Sequence, residues 1–203
     1  MAFSNKAWEI FNNAIHHYHI GDDVNAIVNN PHVEGSLEHL LYSKNWIDTV
    51  QWHLEDIIRD ENIDPVEALA LKRRIDSSNQ KRTDLVEYID QYFFDKYSEI
   101  SPNEDAKINT ETPAWAVDRL SILALKIFHM KVEAERETAT AEHKSKCDIK
   151  LQVLLEQQQD LTTSIDQLLE NIEKGNVKMK VYKQMKMYND ASLNPILYKK
   201  DQK

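Results

Sequence analysis

The sequence has few of the residues that interrupt helices or build disulfide frameworks. Its 203 residues include three glycines, five prolines and a single cysteine, Cys147. So few glycines and prolines, with long blocks between them, favour helices and exclude a β fold with many turns. One cysteine excludes an intramolecular disulfide and a CxxC metal knuckle. The composition therefore predicts an all-α protein.

Long apolar runs are also missing. No stretch approaches the length of a membrane span, and the first ten residues lack the continuous apolar segment of a signal peptide. We therefore expect no membrane span and a cytoplasmic location. The length suits one helical domain over residues 1–203.

Positive charge is scarce in the first half of the chain. The formal net charge is −9, and residues 1–100 hold 9 Lys/Arg against 18 Asp/Glu. An acidic body argues against nucleic acid as a partner, because phosphate contacts need a basic face. Residues 176–203 reverse the balance with 7 Lys/Arg against 2 Asp/Glu. This basic C-terminal segment could meet a membrane surface or an acidic partner, although packing on the protein's own acidic helices is the simpler interpretation.

Capping residues divide the chain into helices. Ser4 and Ser36 are candidate N-caps, and Asp64-Pro65 and Thr112-Pro113 each place a cap before a proline at the first helical position. The pattern predicts a first helix followed by a central helical hairpin within residues 1–100. The whole is expected to be an elongated helical bundle.

Residues 112–175 form a long helical region with two heptad-like apolar series. The series are out of register by one residue, which predicts a break between about Arg136 and Lys146. Two antiparallel helices and one long helix with an extension both satisfy the pattern. The second series is coiled-coil-like, and its seam from Cys147 to Ile172 is a candidate interface for a homo-oligomer.

The hairpin carries more polar residues than two plain helices need. If it turns near residue 63, Asn45, Thr49 and His53 lie level with about Gln80, Asp76 and Lys72. One hypothesis is a pocket for an anionic or phosphorylated small molecule, with cations for the phosphate and His53 or an aspartate to move protons. An ion network that fixes the register of the bundle is the preferred interpretation, because structural ion networks are common. The predicted ligand-binding residues are Asn45, Trp52, His53, Asp56, Arg59, Lys72, Asp76, Asn79 and Arg82.

A second group of polar residues lies on the following helix. Asp118, Arg119 and Lys126, together with His129, could add to a site, and the first two could equally be solvated residues of a first turn. No phosphate-loop, zinc-protease or nucleophile-elbow motif is present in the sequence. The sequence leaves the cofactor unknown, and no catalytic residue is assigned.

Two arrangements suggest a metal site but fail on distance or number. His53 and Asp56 form one i,i+3 pair and Glu87 and Asp90 another, yet the predicted hairpin separates them by roughly 22 Å. His16 and His19 supply only half a ligand set, so a solvated helix end is the preferred interpretation. The sequence predicts no metal site.

Several longer motifs resemble one family. They are Trp52-His-Leu-Glu-Asp56 with Arg59, Lys72-Arg-Arg-Ile-Asp76 with Asn79-Gln80-Lys-Arg82, Asn109-Thr-Glu-Thr-Pro113, Asp118-Arg-Leu-Ser-Ile-Leu123, and Lys186-Met-Tyr-Asn-Asp190 with Leu193-Asn-Pro195. Together they resemble the bacterial domain-of-unknown-function family 4254 over nearly the whole chain. The resemblance implies a helical, Bacteroidetes-type protein of unassigned activity and points toward envelope-glycan metabolism. It transfers no catalytic residue.

Two functions follow from these features. The first is a binding or scaffolding protein that assembles through the seam. The second is a small-molecule enzyme or sensor that uses the pocket on the hairpin. The sequence does not decide between them.

Overall fold

The computed structural model describes residues 2–184 and 192–193. Helices make up 68% of the structure, which confirms the all-α fold class. The described elements are, in chain order, α1 (Phe3–Tyr18), α2 (Leu37–Ile57), α3 (Pro65–Lys96), β1 (Lys107–Ile108), α4 (Pro113–Glu135), α5 (Ala141–Glu173) and β2 (Val177–Lys178).

The starts of α2, α3 and α4 are those that the capping residues predict. The side chains of Ser36, Asp64 and Thr112 each accept a backbone N–H from the first turn of the helix that follows. The prediction for α1 is wrong, because Ala2 occupies the N-cap and Ser4 lies inside the helix. Ser4 is buried, and its hydroxyl donates to the carboxylate of Asp166 on α5 at 2.5 Å.

The predicted break after residue 136 is confirmed. Helix α4 ends at Glu135, and α5 begins at Ala141 with Thr140 as its N-cap. The two helices are antiparallel, because His143 bonds Glu133 beside the connection and Leu151 packs with Leu123 and Ile127 further along both helices. Gly175 ends α5 with a φ of +72°, a conformation that side chains with a Cβ rarely adopt.

The seam on α5 faces the inside of the molecule. Cys147, Leu151, Ile165 and Ile172 are buried. They and their apolar neighbours pack mainly against α4 and the central core, which explains the heptad-like pattern within one chain. A homo-oligomer through this seam would have to displace that packing.

One apolar core joins all five helices. Its members include Phe11 from α1, Leu41 from α2, Phe93 from α3, Leu120 from α4 and Ile165 from α5. Full burial of such a side chain contributes about 1.5–3 kcal/mol. The parallel pair β1–β2 ties the connection before α4 to the chain that follows α5.

Two further predictions concern the membrane and the C-terminal segment. Within residues 2–184 and 192–193, no helix has the length and apolarity that a membrane crossing requires. Of the basic C-terminal segment, residues 185–191 and 194–203 lie outside the described residues, and so do the motifs at 186–190 and 194–195.

Candidate functional site

A network of buried charged side chains joins α2, α3 and α4. The ammonium of Lys44 lies 2.5 Å from Asp48 Oδ2 and 2.6 Å from Asp118 Oδ1. Arg82 donates from Nε to Asp48 Oδ1, and Ser121 donates from its hydroxyl to Asp48 Oδ2. We call these five residues the central network.

Charge balance explains why the central network tolerates burial. The side chains of Lys44 and Asp48 are fully buried, and a buried charge is costly unless it is paired and hydrogen-bonded. Two cations face two carboxylates here, and Arg82 Nη2 also approaches Asp118 at 3.8 Å. The amide of Asn45 donates to Ser121 Oγ at 3.0 Å, so Asn45 extends the network along α2.

Three clefts open beside the central network. We name each cleft after one residue that lines it. The Trp52 cleft has a volume of about 380 Å³, the Trp115 cleft about 310 Å³ and the Lys126 cleft about 590 Å³. Arg82 lines the first two clefts, and Asp118 lines the last two. The network therefore forms part of the walls of all three clefts.

The Trp52 cleft combines charged, amide and aromatic groups. It is lined by Asp48, Gln51, Trp52, Glu55, Asp56, Arg59, Arg82, Ile122 and Leu125. Gln51 donates to Asn79 Oδ1 at 2.8 Å, whereas its own buried carbonyl oxygen has no hydrogen-bond partner among the residues that the structure describes. Exposed Arg59 forms ion pairs with Glu55 and Asp56 at 3.5 Å and 3.7 Å.

The predicted register of the hairpin is wrong by about five residues. Gln51 bonds Asn79 and Asp48 bonds Arg82, where the sequence predicted Thr49 level with Asp76. Each residue of α2 therefore faces a residue of α3 about five positions later than a turn near residue 63 predicts. The polar contacts between the two helices hold them in this register.

The shift separates the predicted site residues into groups. Trp52, Asp56, Arg59 and Arg82 line the Trp52 cleft, and Asn79 lines the Trp115 cleft with Arg82. Asn45 lies buried beside the central network. Lys72 and Asp76 pair with each other on an exposed part of α3 and line none of these three clefts. His53 belongs to the cluster described below.

The second predicted group is also divided. Asp118 is a member of the central network rather than a solvated residue, because Lys44 and Arg82 both approach it. Arg119 pairs with Glu111 at 2.6 Å, and it lines the Lys126 cleft together with Lys126.

Sequence reasoning missed Lys44, Asp48 and Ser121. The apolar spacing of Leu40, Ile47, Val50, Leu54 and Ile57 favours a different face of α2 as the buried one. In the structure Ile57 is exposed, and the polar stripe with Asn45 and Thr49 is buried. The spacing of Lys44 and Asp48 was the available signal, but an i,i+4 pair is equally typical of a solvated helix face.

Three histidines from different helices meet on another side of Trp52. His19 caps the C-terminal end of α1, His53 belongs to α2 and His129 to α4. One nitrogen from each ring lies within 4.8 Å of the other two, and the Nε2 atoms of His19 and His53 are 3.3 Å apart. We call these residues the histidine cluster.

Burial lowers the pKa of two members of the histidine cluster. Desolvation, with His19 and His53 nearby, lowers the pKa of His129 to about 4. Desolvation is also the main cause that lowers the pKa of His53, opposed by the nearby carboxylate of Asp22. The prediction of a solvated helix end at His19 is wrong, because its ring packs against Phe128 at a centroid distance of 4.3 Å.

Asp90 has a separate role at the start of α4. Its carboxylate accepts from Thr112 Oγ1 at 2.8 Å and from the backbone N–H of Ala114 at 3.3 Å. Burial raises the pKa of Asp90 to about 6, although both hydrogen bonds act in the opposite direction. Its partners place it at an interhelical cap.

These features define an all-α protein whose helices enclose a buried ion network and a cluster of histidines. Residues 38–181 match the family described as "Protein of unknown function (DUF4254)". The match covers most of the chain, so the protein belongs to this family, as the motifs in the sequence predicted. No curated protein and no solved structure matches the chain.

Proposed function

We propose that the protein binds a small phosphorylated metabolite that also carries hydroxyl groups. The Trp52 cleft is the binding site. The observation that carries this proposal is the placement of two arginines, Arg59 and Arg82, around a cleft that also contains the unpartnered carbonyl oxygen of buried Gln51. A volume of about 380 Å³ suits a small molecule.

The two arginines provide the contacts for the anionic group. A guanidinium has five N–H donors, and Arg82 uses its Nε for Asp48 and one Nη1 donor for Asn79, while its Nη2 lies 3.8 Å from Asp118. The ion pairs of Arg59 are exposed and therefore weak, so a phosphate can replace them at little cost. Arginine binds phosphate through two parallel hydrogen bonds, which favours this ligand over a neutral one.

The rest of the cleft suits hydroxyl groups and one apolar face. The carboxylates of Glu55 and Asp56 accept hydrogen bonds, and so does the carbonyl oxygen of Gln51. The ring of Trp52 provides a flat apolar surface. A sugar phosphate has all of these complementary groups. Such a ligand agrees with a role in envelope-glycan metabolism, which remains part of the proposal.

Binding is the step that an enzyme and a sensor share, so the proposal includes both. The scaffolding function has less support, because the seam on which it depended is packed inside the chain. A scaffold would need a different surface. The cytoplasmic location remains a prediction from the sequence.

Calorimetric titration with inorganic phosphate, sugar phosphates and nucleotide-sugars tests the proposal. We expect a sugar phosphate to bind, and Arg59→Gln to weaken its binding at least about tenfold, since a charge-assisted hydrogen bond contributes about 1.5–3 kcal/mol. Lys72→Gln is the matched control, because Lys72 is an exposed, ion-paired cation that lies outside the cleft.

Two results would contradict the proposal. One is the absence of binding by every phosphorylated compound in the panel. The other is equal weakening by Arg59→Gln and Lys72→Gln, which would indicate a general effect of charge rather than a site in the cleft.

A further inference from the structure

The rings of the histidine cluster are arranged almost symmetrically. The centroids of His19, His53 and His129 are 5.3, 5.4 and 5.5 Å apart in pairs, and the ring planes meet at 64°, 67° and 70°. Tetrahedral Zn²⁺ with bonds of about 2.1 Å places its ligand nitrogens about 3.4 Å apart. The His19–His53 separation of 3.3 Å already has this value, and the upper limit of 4.8 Å for the others requires only a small closing movement.

Hydrogen bonding orients the ring of His19. Its Nδ1 lies 2.7 Å from the carbonyl oxygen of Ile15, which can only accept, so Nδ1 carries the proton. The lone pair of His19 then belongs to Nε2, the atom that faces His53. Metal-bound histidines are commonly fixed by such a bond from the other ring nitrogen to a backbone carbonyl.

His129 provides a second, independent observation. Its Nε2 is buried and has no hydrogen-bond partner within residues 2–184 and 192–193. Buried polar atoms are rarely left in this state, so this nitrogen is available to a ligand.

Aromatic neighbours hold each of the three rings in place. Trp52 stacks on His129 with a centroid distance of 4.7 Å and an interplanar angle of 6°. Tyr18 stacks on His53 at 5.1 Å, and Phe128 packs against His19 at 4.3 Å. Rings that packing has already oriented lose little further freedom when they bind a ligand.

We propose that His19, His53 and His129 bind one divalent transition-metal ion such as Zn²⁺. Imidazole nitrogens suit Zn²⁺, Cu²⁺ and Ni²⁺, whereas Mg²⁺ and Ca²⁺ prefer oxygen ligands. The fourth position takes an oxygen ligand, which is either water or the carboxylate of Asp22 that lies 3.7 Å from His53 Nε2.

The sequence predicted no metal site, so this proposal differs from that expectation. It is also independent of the phosphorylated metabolite proposed for the Trp52 cleft. Its ligands come from the end of α1, from α2 and from α4, so the ion cross-links three helices. The Trp52 ring lies between the metal site and the Trp52 cleft, since it stacks on His129 and lines the cleft.

Titration of the metal-stripped full-length chain with Zn²⁺ and with Co²⁺ tests this proposal. We expect one ion per chain and visible absorption bands of Co²⁺ with the intensity of a tetrahedral site, which added Zn²⁺ abolishes. X-ray absorption of the zinc-loaded chain is expected to give three histidine ligands and one oxygen ligand.

Single substitutions identify the ligands. His19→Gln, His53→Gln and His129→Gln are each expected to weaken Zn²⁺ binding at least about a hundredfold, and Asp22→Asn about tenfold if its carboxylate is the fourth ligand. His16→Gln is the matched control, because His16 is an exposed histidine of α1 that also packs against Phe128. It is expected to leave Zn²⁺ affinity unchanged.

The absorption measurements on the unaltered chain do not require any variant to fold. Fewer than three histidine ligands in the zinc-loaded chain would overturn the proposal. Binding of similar strength in the three cluster variants and in His16→Gln, with folding verified by circular dichroism, would also overturn it.

Discussion

Two ion pairs of identical type and spacing lie on neighbouring helices of this protein. Lys44 and Asp48 on α2 are both fully buried, whereas Lys72 and Asp76 on α3 are 56% and 48% exposed. Each pair is a lysine followed four residues later by an aspartate. Their surroundings nevertheless give them different roles. The first pair belongs to a network that joins three helices, and the second is solvated.

Asp90 extends this comparison to a buried carboxylate whose hydrogen-bond partners within the described residues are uncharged. Lys44 and Arg82 both bind Asp48, whereas in the part of the chain that the structure describes Asp90 accepts from a hydroxyl and a backbone N–H. Burial accordingly raises the pKa of Asp90 to about 6. The three aspartates show that the partner and the solvent, rather than the residue type, determine what a carboxylate contributes.

The largest effect is expected from removal of the buried cation. Lys44→Met leaves Asp48 and Asp118 with one arginine between them, and breaking a buried pair typically costs about 3–5 kcal/mol. Urea unfolding of the variant and of the unaltered chain measures the difference in the free energy of unfolding. A loss below about 1 kcal/mol would contradict the role assigned to the network.

An intermediate effect that depends on pH is expected at Asp90. Because its pKa in the folded protein is about 6, above the ordinary value, the fold favours the protonated carboxyl. The stability that it contributes is present at pH 4 and is lost as the pH rises through 6. Relative to Asp90→Asn, the unaltered chain should therefore lose stability between pH 4 and pH 7.

Urea unfolding at several pH values measures the Asp90 effect. Asp95→Asn provides the control for removal of a charge, because Asp95 is exposed on the same helix. A stability difference between the chain and Asp90→Asn that stays constant across this range would contradict the prediction.

The smallest effect is expected at the exposed pair. Lys72→Met should change the free energy of unfolding by less than about 0.5 kcal/mol, since exposed pairs contribute little and salt screens them. The same urea measurement serves for this variant. A loss as large as that of Lys44→Met would remove the distinction between the two pairs.

Much of the fold was predictable because the signals were local. A capping side chain bonds the first turn of its own helix. Ser36, Asp64 and Thr112 therefore indicate helix starts that do not depend on the rest of the molecule. The change of heptad register gave the break between α4 and α5 for the same reason. The cap predicted at Ser4 failed because Asp166, distant in sequence, binds that hydroxyl.

The candidate site was predictable only in part. The sequence singled out Trp52, Asp56, Arg59 and Arg82, which the structure brings to one cleft. It also grouped Lys72 and Asp76 with them, because the assumed turn aligned the two helices about five residues from their actual register. A register error of more than one helical turn is enough to exchange one set of facing residues for another.

The sequence by itself determined the helices, the starts of α2, α3 and α4, and the family to which the chain belongs. Local hydrogen bonds, apolar periodicity and continuous motifs carry that information. Only the tertiary structure decided which of two identical ion pairs is buried, and only it brought His19, His53 and His129 together. The burial of an ion pair and the contacts among these histidines depend on how helices distant in sequence pack against one another. A local sequence pattern does not contain that information.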